Sequence, residues 1–225
     1  MGCQSKIVLY GTIIMTQTKS PALSRREQNK AERRAAIIRL AARSFLENGY
    51  EATTMSAIAQ EMGGSKGTLW SYFSSKEELL AAVIDGAAAA FQSFMTTVLD
   101  PKQDIRVVLT RFCETFLERI SRPEAIGLQR LVIAQAERFP EIGRVFYDHA
   151  PAINEATLAR FFSRQMEVGV IRPDDPTAAA RMLLALCTAG YHDRVLYGVE
   201  TQNAAVERRE AARVVQQFLR CYGTD

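Results

Sequence analysis

Apolar residues recur at helical spacing through most of the chain, and the shortest helices that they predict lie near residue 60. The first stripe occupies positions i, i+3, i+4 and i+7 and consists of Met55, Ile58, Ala59 and Met62. Gly63-Gly64 ends that helix. Ser65 suits the N-cap of a second short helix, and Leu69 and Phe73 form its inward edge. Two short helices joined by a tight glycine turn predict a helix-turn-helix.

Longer helices are predicted on both sides of this motif. One runs from about residue 28 to residue 48, and Gly49 supplies its stop. Its apolar stripe consists of Ile38, Ala41, Ala42 and Phe45. The other begins after Ser75, which forms a capping box with Glu78, and continues to about residue 99. At 1.5 Å per residue this helix is roughly 35 Å long, more than a three-helix unit needs, so its second half is predicted to pack in a second core.

The rest of the chain, beyond Asp100-Pro101, keeps the helical period and has no strand-like alternation. It predicts helices over about 104–120, 123–138, 140–149, 151–168, 176–197 and 203–221. The predicted fold is therefore all-α, with an N-terminal three-helix helix-turn-helix domain joined by a long helix to a C-terminal helical bundle. We place the first domain at residues 25–74 and the second at 75–225. Residues 1–24 do not share the pattern and are predicted to form a disordered extension.

Charge is distributed unevenly along the chain. The formal net charge is only +3 at pH 7, but Lys and Arg far outnumber Glu up to residue 45, and the remainder is net acidic. A basic block beside a helix-turn-helix is the expected footprint of phosphate binding. Arg33 and Arg34, early in the first long helix, are candidates to reach the DNA backbone or the adjacent groove. The alternative is an ordinary solvated helix face. It would explain the basic residues themselves but hardly their position beside the helix-turn-helix.

The outward face of the second short helix lacks the long charged side chains of an ordinary solvent-facing helix. At 100° per residue its centre is Gly67 and Ser71, flanked by Thr68 and Tyr72 on one side and Trp70 on the other. Glycine and small hydroxyls permit close approach to another surface. At its N-terminus, Ser65 and Lys66 lie where free N–H groups and the helix dipole favour an anion. An ordinary helical hairpin with an accidental glycine is the alternative.

The motif and its flanks match a known pattern at many spaced positions, which are Gly49-Tyr50, Thr53-Thr54, Ile58-Ala59, Gly63, Ser65 to Leu69, Tyr72-Phe73 and Ser75 to Leu80. This pattern closely resembles the DNA-binding domain of the tetracycline-repressor (TetR/AcrR) family of bacterial transcription regulators, from roughly residue 33 to residue 84. The resemblance implies DNA contacts by Thr54, Lys66, Gly67, Thr68, Trp70, Ser71, Tyr72 and Lys76. Two positions depart from the family. Gly64 replaces a small apolar residue, and Trp70 replaces Tyr but keeps one N–H donor.

The sequence carries no arrangement that favours catalysis or metal binding. It has no Ser/His/Asp set, HExxH, P-loop or GxGxxG motif, and its four cysteines form no CxxC pair. Cys113 and Cys187 lie in apolar helical stretches and are predicted to behave as small core hydrophobes. We therefore expect a cytoplasmic binding protein without a metal, a cofactor, catalysis or a membrane partner.

The C-terminal bundle is predicted to bind a small molecule. Residues 125–142 resemble the ligand-domain sequence of AcrR- or AefR-type family members, and this resemblance implies an effector pocket. Large apolar candidates for its lining are Phe112, Phe116, Leu131, Phe146, Phe161, Phe162, Met166, Met182 and Leu186. The alternative is that these residues only fill the core. The nearby polar candidates are few, and they are Arg130, Gln135, Asn154 and His192. A mostly apolar or aromatic ligand, neutral or weakly anionic, is therefore expected.

The last two predicted helices, 176–197 and 203–221, carry more apolar surface than one core needs, which predicts a homodimer seam. They would otherwise complete a monomer core. The predicted function is a homodimeric, sequence-specific transcriptional regulator on a pseudo-palindromic double-stranded operator, a repressor released by an apolar ligand. Two alternatives remain open. A non-specific architectural DNA binder would call for a strongly basic second domain. A carrier or enzyme bundle with a vestigial helix-turn-helix would call, as an enzyme, for paired carboxylates and histidine at helical spacing.

Overall fold

The computed structural model describes residues 24–63 and 66–224, and these residues form an all-α protein, which confirms the predicted fold class. The helices are α1 (Arg25–Ala52), α2 (Met55–Glu61), α3 (Lys66–Trp70), α4 (Lys76–Val98), α5 (Ile105–Ile120), α6 (Pro123–Gln135), α7 (Pro140–His149), α8 (Pro151–Glu167), α9 (Pro176–Cys187), α10 (Asp193–Leu196) and α11 (Ala204–Tyr222). Within the described ranges, β-type pairing is limited to one antiparallel bridge between Ile171 and Gly223. The predicted extension at residues 1–24 lies outside the described residues except for Ser24.

Helix α1 begins with a capping box. The Ser24 hydroxyl accepts a hydrogen bond from the Glu27 N–H at 3.3 Å, and the Glu27 carboxylate accepts one from the Ser24 N–H at 2.8 Å. Near the other end, Gly49 adopts a φ of +78° and interrupts the helix, as its position predicts. The buried stripe includes Ile37 instead of Ile38, which is only half-buried, because α2 and α4 pack on that side of the helix.

Helix α4 belongs to two cores. Its first half contributes Leu79, Leu80 and Val83 to the core of the N-terminal helices, and its second half contributes Phe91 and Met95 to the bundle core. This double burial accounts for the apolar composition of α4, the one described helix whose length and composition would also let it span a bilayer.

The predicted capping box at the start of α4 is only half formed. The Ser75 hydroxyl accepts from the Glu78 N–H at 3.1 Å, as predicted. The Glu78 carboxylate, however, accepts from the N–H and the hydroxyl of Ser74, at 2.6 and 2.7 Å, instead of turning back to Ser75. The N–H and the hydroxyl of Ser74 both donate to this carboxylate and hold it one residue upstream of Ser75.

The bundle core is built by α5, α8, α9 and α11 around the second half of α4. Aromatic rings run through it. Phe91, Phe112 and Phe116 contact one another with ring centroids 5.5–5.8 Å apart. Elsewhere in the same core, the ring of Phe162 stacks on the ring of Phe218, with the two centroids 5.0 Å apart. Such pairs add about 0.5–1.5 kcal/mol beyond the burial of their apolar area, so this run fixes how α4 and α5 pack.

The single helix predicted over residues 176–197 is wrong, because the chain breaks in its middle. Helix α9 ends at Cys187, a π-helical turn spans Thr188–His192, and α10 follows. Gly190 adopts a φ of +96°, which an L-residue with a side chain rarely adopts. The side chains of Tyr191 and His192, which lie in this turn and not on a regular helix, are both buried.

The core of the N-terminal helices extends beyond them. The cluster around Phe45, Tyr50 and Leu69 also contains Leu128, Leu131 and Val132 of α6 and Ile142 of α7. The two parts of the chain are tied further by an ion pair between Arg138 and Glu51, and by a 2.6 Å contact between His149 Nδ1 and Asp85 Oδ1. The N-terminal helices therefore share one packed core with α6 and α7.

Candidate nucleic-acid interface and ligand cavity

Helices α2 and α3 form the predicted helix-turn-helix, and α3 faces as the apolar pattern predicts. Leu69 and Phe73 are buried in the N-terminal core. On the outside, Gly67, Ser71 and Trp70 are exposed, and 48% of the Trp70 surface is open to solvent. This leaves one side of α3 with a bare backbone, small hydroxyls and an indole ring.

Local hydrogen bonds fix the polar groups around this face. The Thr54 hydroxyl caps α2 by accepting from the Ala57 N–H at 3.1 Å. The Ser71 hydroxyl donates to the Thr68 carbonyl at 2.7 Å, which leaves its lone pairs available. Thr68 and Tyr72 are half-buried at the edge of the face. The structure thus brings together Gly67, Thr68, Trp70, Ser71 and Tyr72 on and beside α3, and it places Thr54 at the exposed start of α2.

The segment that leads into α3 contains three more residues that the sequence singles out, Gly64, Ser65 and Lys66. Gly64 and Ser65 lie outside the described residues, so the predicted N-cap and the predicted anion contact at Ser65 stay predictions. Lys66 begins α3. Its contact with DNA likewise stays a prediction.

Basic side chains are exposed along α1, and one of them lies beside the end of the helix-turn-helix. Arg33 and Arg34 are exposed on α1, where Arg25, Arg26 and Lys30 are exposed as well. The Arg34 guanidinium lies 5.0 Å from the centre of the Phe73 ring, which attaches it to the end of the recognition motif. Arg34 is therefore held beside the motif and not on a remote turn of α1.

Lys76 has a structural task that the sequence did not reveal. Its ammonium donates to the carbonyls of Tyr50 and Thr53, at 2.8 and 3.1 Å, and lies 4.0 Å from the centre of the Tyr50 ring. Burial lowers the pKa of this amine, and the carboxylates of Glu77 and Glu51 oppose that shift. Lys76 thus holds the end of α1 next to α4. If Lys76 also contacts DNA as predicted, it does so with an ammonium group that already binds two carbonyls of the protein.

The bundle contains two adjoining cavities of about 120 and 240 Å³. Both are bordered by Phe116, Ile120, Gln129, Phe146, Ala150 and Asn154. Helix α4 lines the smaller one with Ile84, Ala87, Ala88 and Phe91, while α9 and the π-helical turn line the larger one. Joined, the two volumes would be close to the lower limit of the roughly 300–1,000 Å³ typical of small-molecule sites.

Only two of the nine predicted apolar lining residues, Phe116 and Phe146, border these cavities. The others fill core positions instead. Leu131 belongs to the N-terminal core, and the remaining six, Phe112, Phe161, Phe162, Met166, Met182 and Leu186, lie in or against the bundle core. Helical periodicity identifies apolar side chains that face inward, but it does not distinguish packed positions from cavity walls, and this explains the mismatch.

The polar candidates divide in the same way. Asn154 borders both cavities and His192 the larger one. Arg130 borders neither, because its guanidinium donates to the carbonyls of Val195 and Leu196 and caps α10. Gln135 also borders neither.

Three polar lining residues, Arg119, Gln129 and Thr188, are not among those that the sequence predicts. The Gln129 amide N–H₂ donates to the Ile120 carbonyl at 3.1 Å, which turns its oxygen to His192 Nε2 at 3.0 Å. His192 must donate from Nε2, so its neutral ring has a free acceptor at Nδ1, which is buried without a partner. Burial lowers the pKa of His192 and keeps it neutral near pH 7.

The two core cysteines behave as predicted. Cys113 and Cys187 are both buried, with their sulfur atoms 3.8 Å apart. The hydrogen bond between the two thiols and their burial raise the pKa of Cys113 well above its ordinary value, so it is a poor nucleophile. Among the described residues no three His, Cys, Asp or Glu side chains are placed to hold a metal ion.

Comparison with known proteins finds two family matches. Residues 37–83 match the model of bacterial regulatory proteins of the tetR family, and residues 107–224 match the AefR-like transcriptional repressor C-terminal domain. The HTH-type transcriptional regulator UidR of Escherichia coli is 31% identical over 183 residues, which cover 77% of this chain and 85% of UidR.

Solved structures agree with these matches. A TetR-family transcriptional regulator from Mesorhizobium loti has a TM-score of 0.76 and 27% identity, and the match covers 90% of this chain and all of that one. The flavonoid-responsive regulator FrrA has a TM-score of 0.72 and 27% identity, and the match covers 86% of this chain and 98% of FrrA.

Proposed function

Because the chain belongs to the TetR family of bacterial transcription regulators, we propose that it is a homodimeric repressor that leaves its operator when an apolar molecule fills the bundle cavities. The single observation that carries this proposal is the course of α4. This helix starts directly behind the helix-turn-helix, packs in both cores and forms one wall of the smaller cavity.

DNA recognition is assigned to the outward face of α3 with support from α1. Gly67 allows the backbone to approach a phosphate or a base edge, and the free lone pairs of Ser71 and the hydroxyl of Thr68 suit base contacts. Tyr72, Lys66, Arg33 and Arg34 would hold phosphates, which position the helix without specifying sequence. Trp70, exposed at the edge, would contact the backbone or a sugar.

Dimerisation is assigned to the outward faces of α9 and α11. Small residues are exposed on these helices, namely Ala178 on α9 and Ala212 on α11. Small side chains allow two helices to approach closely, and a two-fold contact would use the same surface on both subunits. Such a dimer reads a pseudo-palindrome.

Effector binding would change the spacing of the two α3 helices through α4. A ligand between Phe91, Phe116 and Phe146 must displace or fix the second half of α4, and the first half is packed against Tyr50 and Leu69 in the N-terminal core. The ligand shifts the equilibrium only as far as it prefers the DNA-free arrangement. The AefR-like repressor domain supports repression as the regulatory sense, and FrrA, by its name, responds to flavonoids.

The proposal is tested in two steps on the full chain. Genomic fragments captured by the purified protein are ranked by affinity at fixed salt against random DNA, and a specific operator is expected to bind at least about 1,000-fold more tightly. A thermal-shift screen of apolar and aromatic compounds follows, and each compound that stabilises the protein is added to the operator complex. Stabilising compounds that never change operator affinity would refute release by an effector while leaving DNA recognition intact.

A further inference from the structure

A cation borders the smaller cavity, and one of its N–H groups is buried without a partner in the part of the chain that the structure describes. Arg119, on α5, borders that cavity, and its Nε is buried with no hydrogen-bond partner among the described residues. The nearest carboxylate along α5, Glu118, is already paired with Arg122. Neither cavity has an Asp or Glu among its lining residues.

Arg119 is half-buried, and a buried guanidinium N–H without an acceptor is costly because buried polar groups are normally hydrogen-bonded. The rest of the lining makes the site more selective. Phe91, Phe116 and Phe146 provide apolar walls, and Arg119 is the one Lys or Arg among the described residues lining either cavity. His192 is neutral and adds no second positive charge. The site thus offers one positive charge at the end of an apolar volume.

We propose that the effector is an apolar monocarboxylate, with its carboxylate on the Arg119 guanidinium and its hydrocarbon or aromatic body against Phe91, Phe116 and Phe146. This inference rests on the proposed function, since it names the class of effector for the same cavity. A guanidinium binds a carboxylate through two parallel N–H···O bonds, which a neutral amide or ester cannot reproduce. A phosphate dianion would leave one charge uncompensated, so a single negative charge fits best.

The test uses matched acids and amides as probes on the full-length protein at pH 7.5. The probes are octanoate and 4-phenylbutyrate, each compared with its primary amide by calorimetric titration. The acids are expected to bind about 10- to 100-fold more tightly than the amides, the ratio typical of a charge-assisted hydrogen-bonded pair. Arg119→Met, which keeps an unbranched apolar stem but removes the guanidinium, is expected to remove that preference and to leave amide binding unchanged, whereas Arg119→Lys retains part of it.

Arg106→Met is the matched control, because Arg106 is an exposed arginine on the same helix and borders neither cavity. It should keep the full preference for acids. A second readout needs no probe. Removing a buried N–H that lacks an acceptor should raise the melting temperature of the ligand-free protein in Arg119→Met, and Arg106→Met should show no such rise.

The possible results separate the two proposals. Equal binding of acids and amides by the unmutated protein would overturn the carboxylate assignment while leaving an apolar effector cavity in place. A preference for acids that survives Arg119→Met would overturn the role of Arg119. If neither acids nor amides bind, the effector cavity itself is refuted, and this inference with it.

Discussion

Replacing Phe116 by leucine should impair the effector response without affecting DNA binding. Phe116 is 6% exposed, borders both cavities and contacts the rings of Phe91 and Phe112 at 5.5 and 5.6 Å. The substitution removes about one methylene equivalent of buried apolar surface, worth about 0.8 kcal/mol, together with ring contacts worth about 0.5–1.5 kcal/mol. A domain stable by about 5–15 kcal/mol remains folded after this loss.

The matched control is Phe112→Leu. Phe112 belongs to the same aromatic group and is fully buried, but it borders neither cavity. Both variants should lose a similar free energy of unfolding, measured by urea denaturation, because each loses similar area and ring contacts. They should differ in function, since only Phe116 forms the wall that an effector would touch.

The assay is operator binding by fluorescence anisotropy, with and without a compound that releases the unmutated protein. Phe116→Leu should bind operator normally and need at least about tenfold more compound for release, which corresponds to the loss of about 1.4 kcal/mol of ligand contact. Phe112→Leu should respond like the unmutated protein. The reasoning fails if Phe112→Leu loses the response and Phe116→Leu keeps it.

Three further predictions address the DNA face, the buried histidine and the dimer. Tyr72→Phe should weaken binding to operator and to random DNA alike. Ser71→Ala should instead change the sequence preference, by about 1–3 kcal/mol at one base pair. If a selection experiment with Ser71→Ala returns the unchanged sequence preference, the assigned face is wrong. The folded pKa of His192 lies below its ordinary value of 6.5, so the unfolded chain takes up a proton at a higher pH than the folded chain does. Stability should therefore be complete above about pH 6.5 and fall as the pH drops toward the folded pKa, by at most about 1.4 kcal/mol per pH unit, and His192→Asn should lessen this fall in denaturant titrations at pH 5 and pH 7. Footprinting should show two half-sites about 34 Å apart or a small multiple of that distance, and protection of a single asymmetric half-site would argue against the dimer.

The sequence predicts those parts of the fold that depend on local periodicity and caps. Met55, Ile58, Leu69 and Phe73 repeat at helical spacing, so this spacing by itself predicts both helices of the helix-turn-helix and the inward side of α3. The prolines that open α6, α7, α8 and α9 mark those starts for the same local reason.

The parts that the sequence does not predict depend on contacts between distant residues. The sequence predicts Arg130 as a polar residue near the pocket. In the structure it caps α10, which lies more than 60 residues further along the chain. The sequence does not show that the Lys76 ammonium binds carbonyls at the end of α1, and the DNA contact of Lys76 stays a prediction. Nothing in the sequence distinguishes Arg119 from an exposed arginine on α5. Only the folded structure shows that it borders a cavity and that its Nε lacks a partner.

The core that the N-terminal helices share with α6 and α7 limits how this protein can be recombined. Because Leu128, Leu131 and Val132 of α6 belong to the same core as Phe45 and Tyr50 of α1, a fragment ending near residue 74 would lose part of that core and should not fold alone. A chimera that joins these helices to another ligand domain would need matching side chains on that domain. Operator preference is therefore free to diverge on the outer side of α3, whereas the inner side must change together with the effector domain.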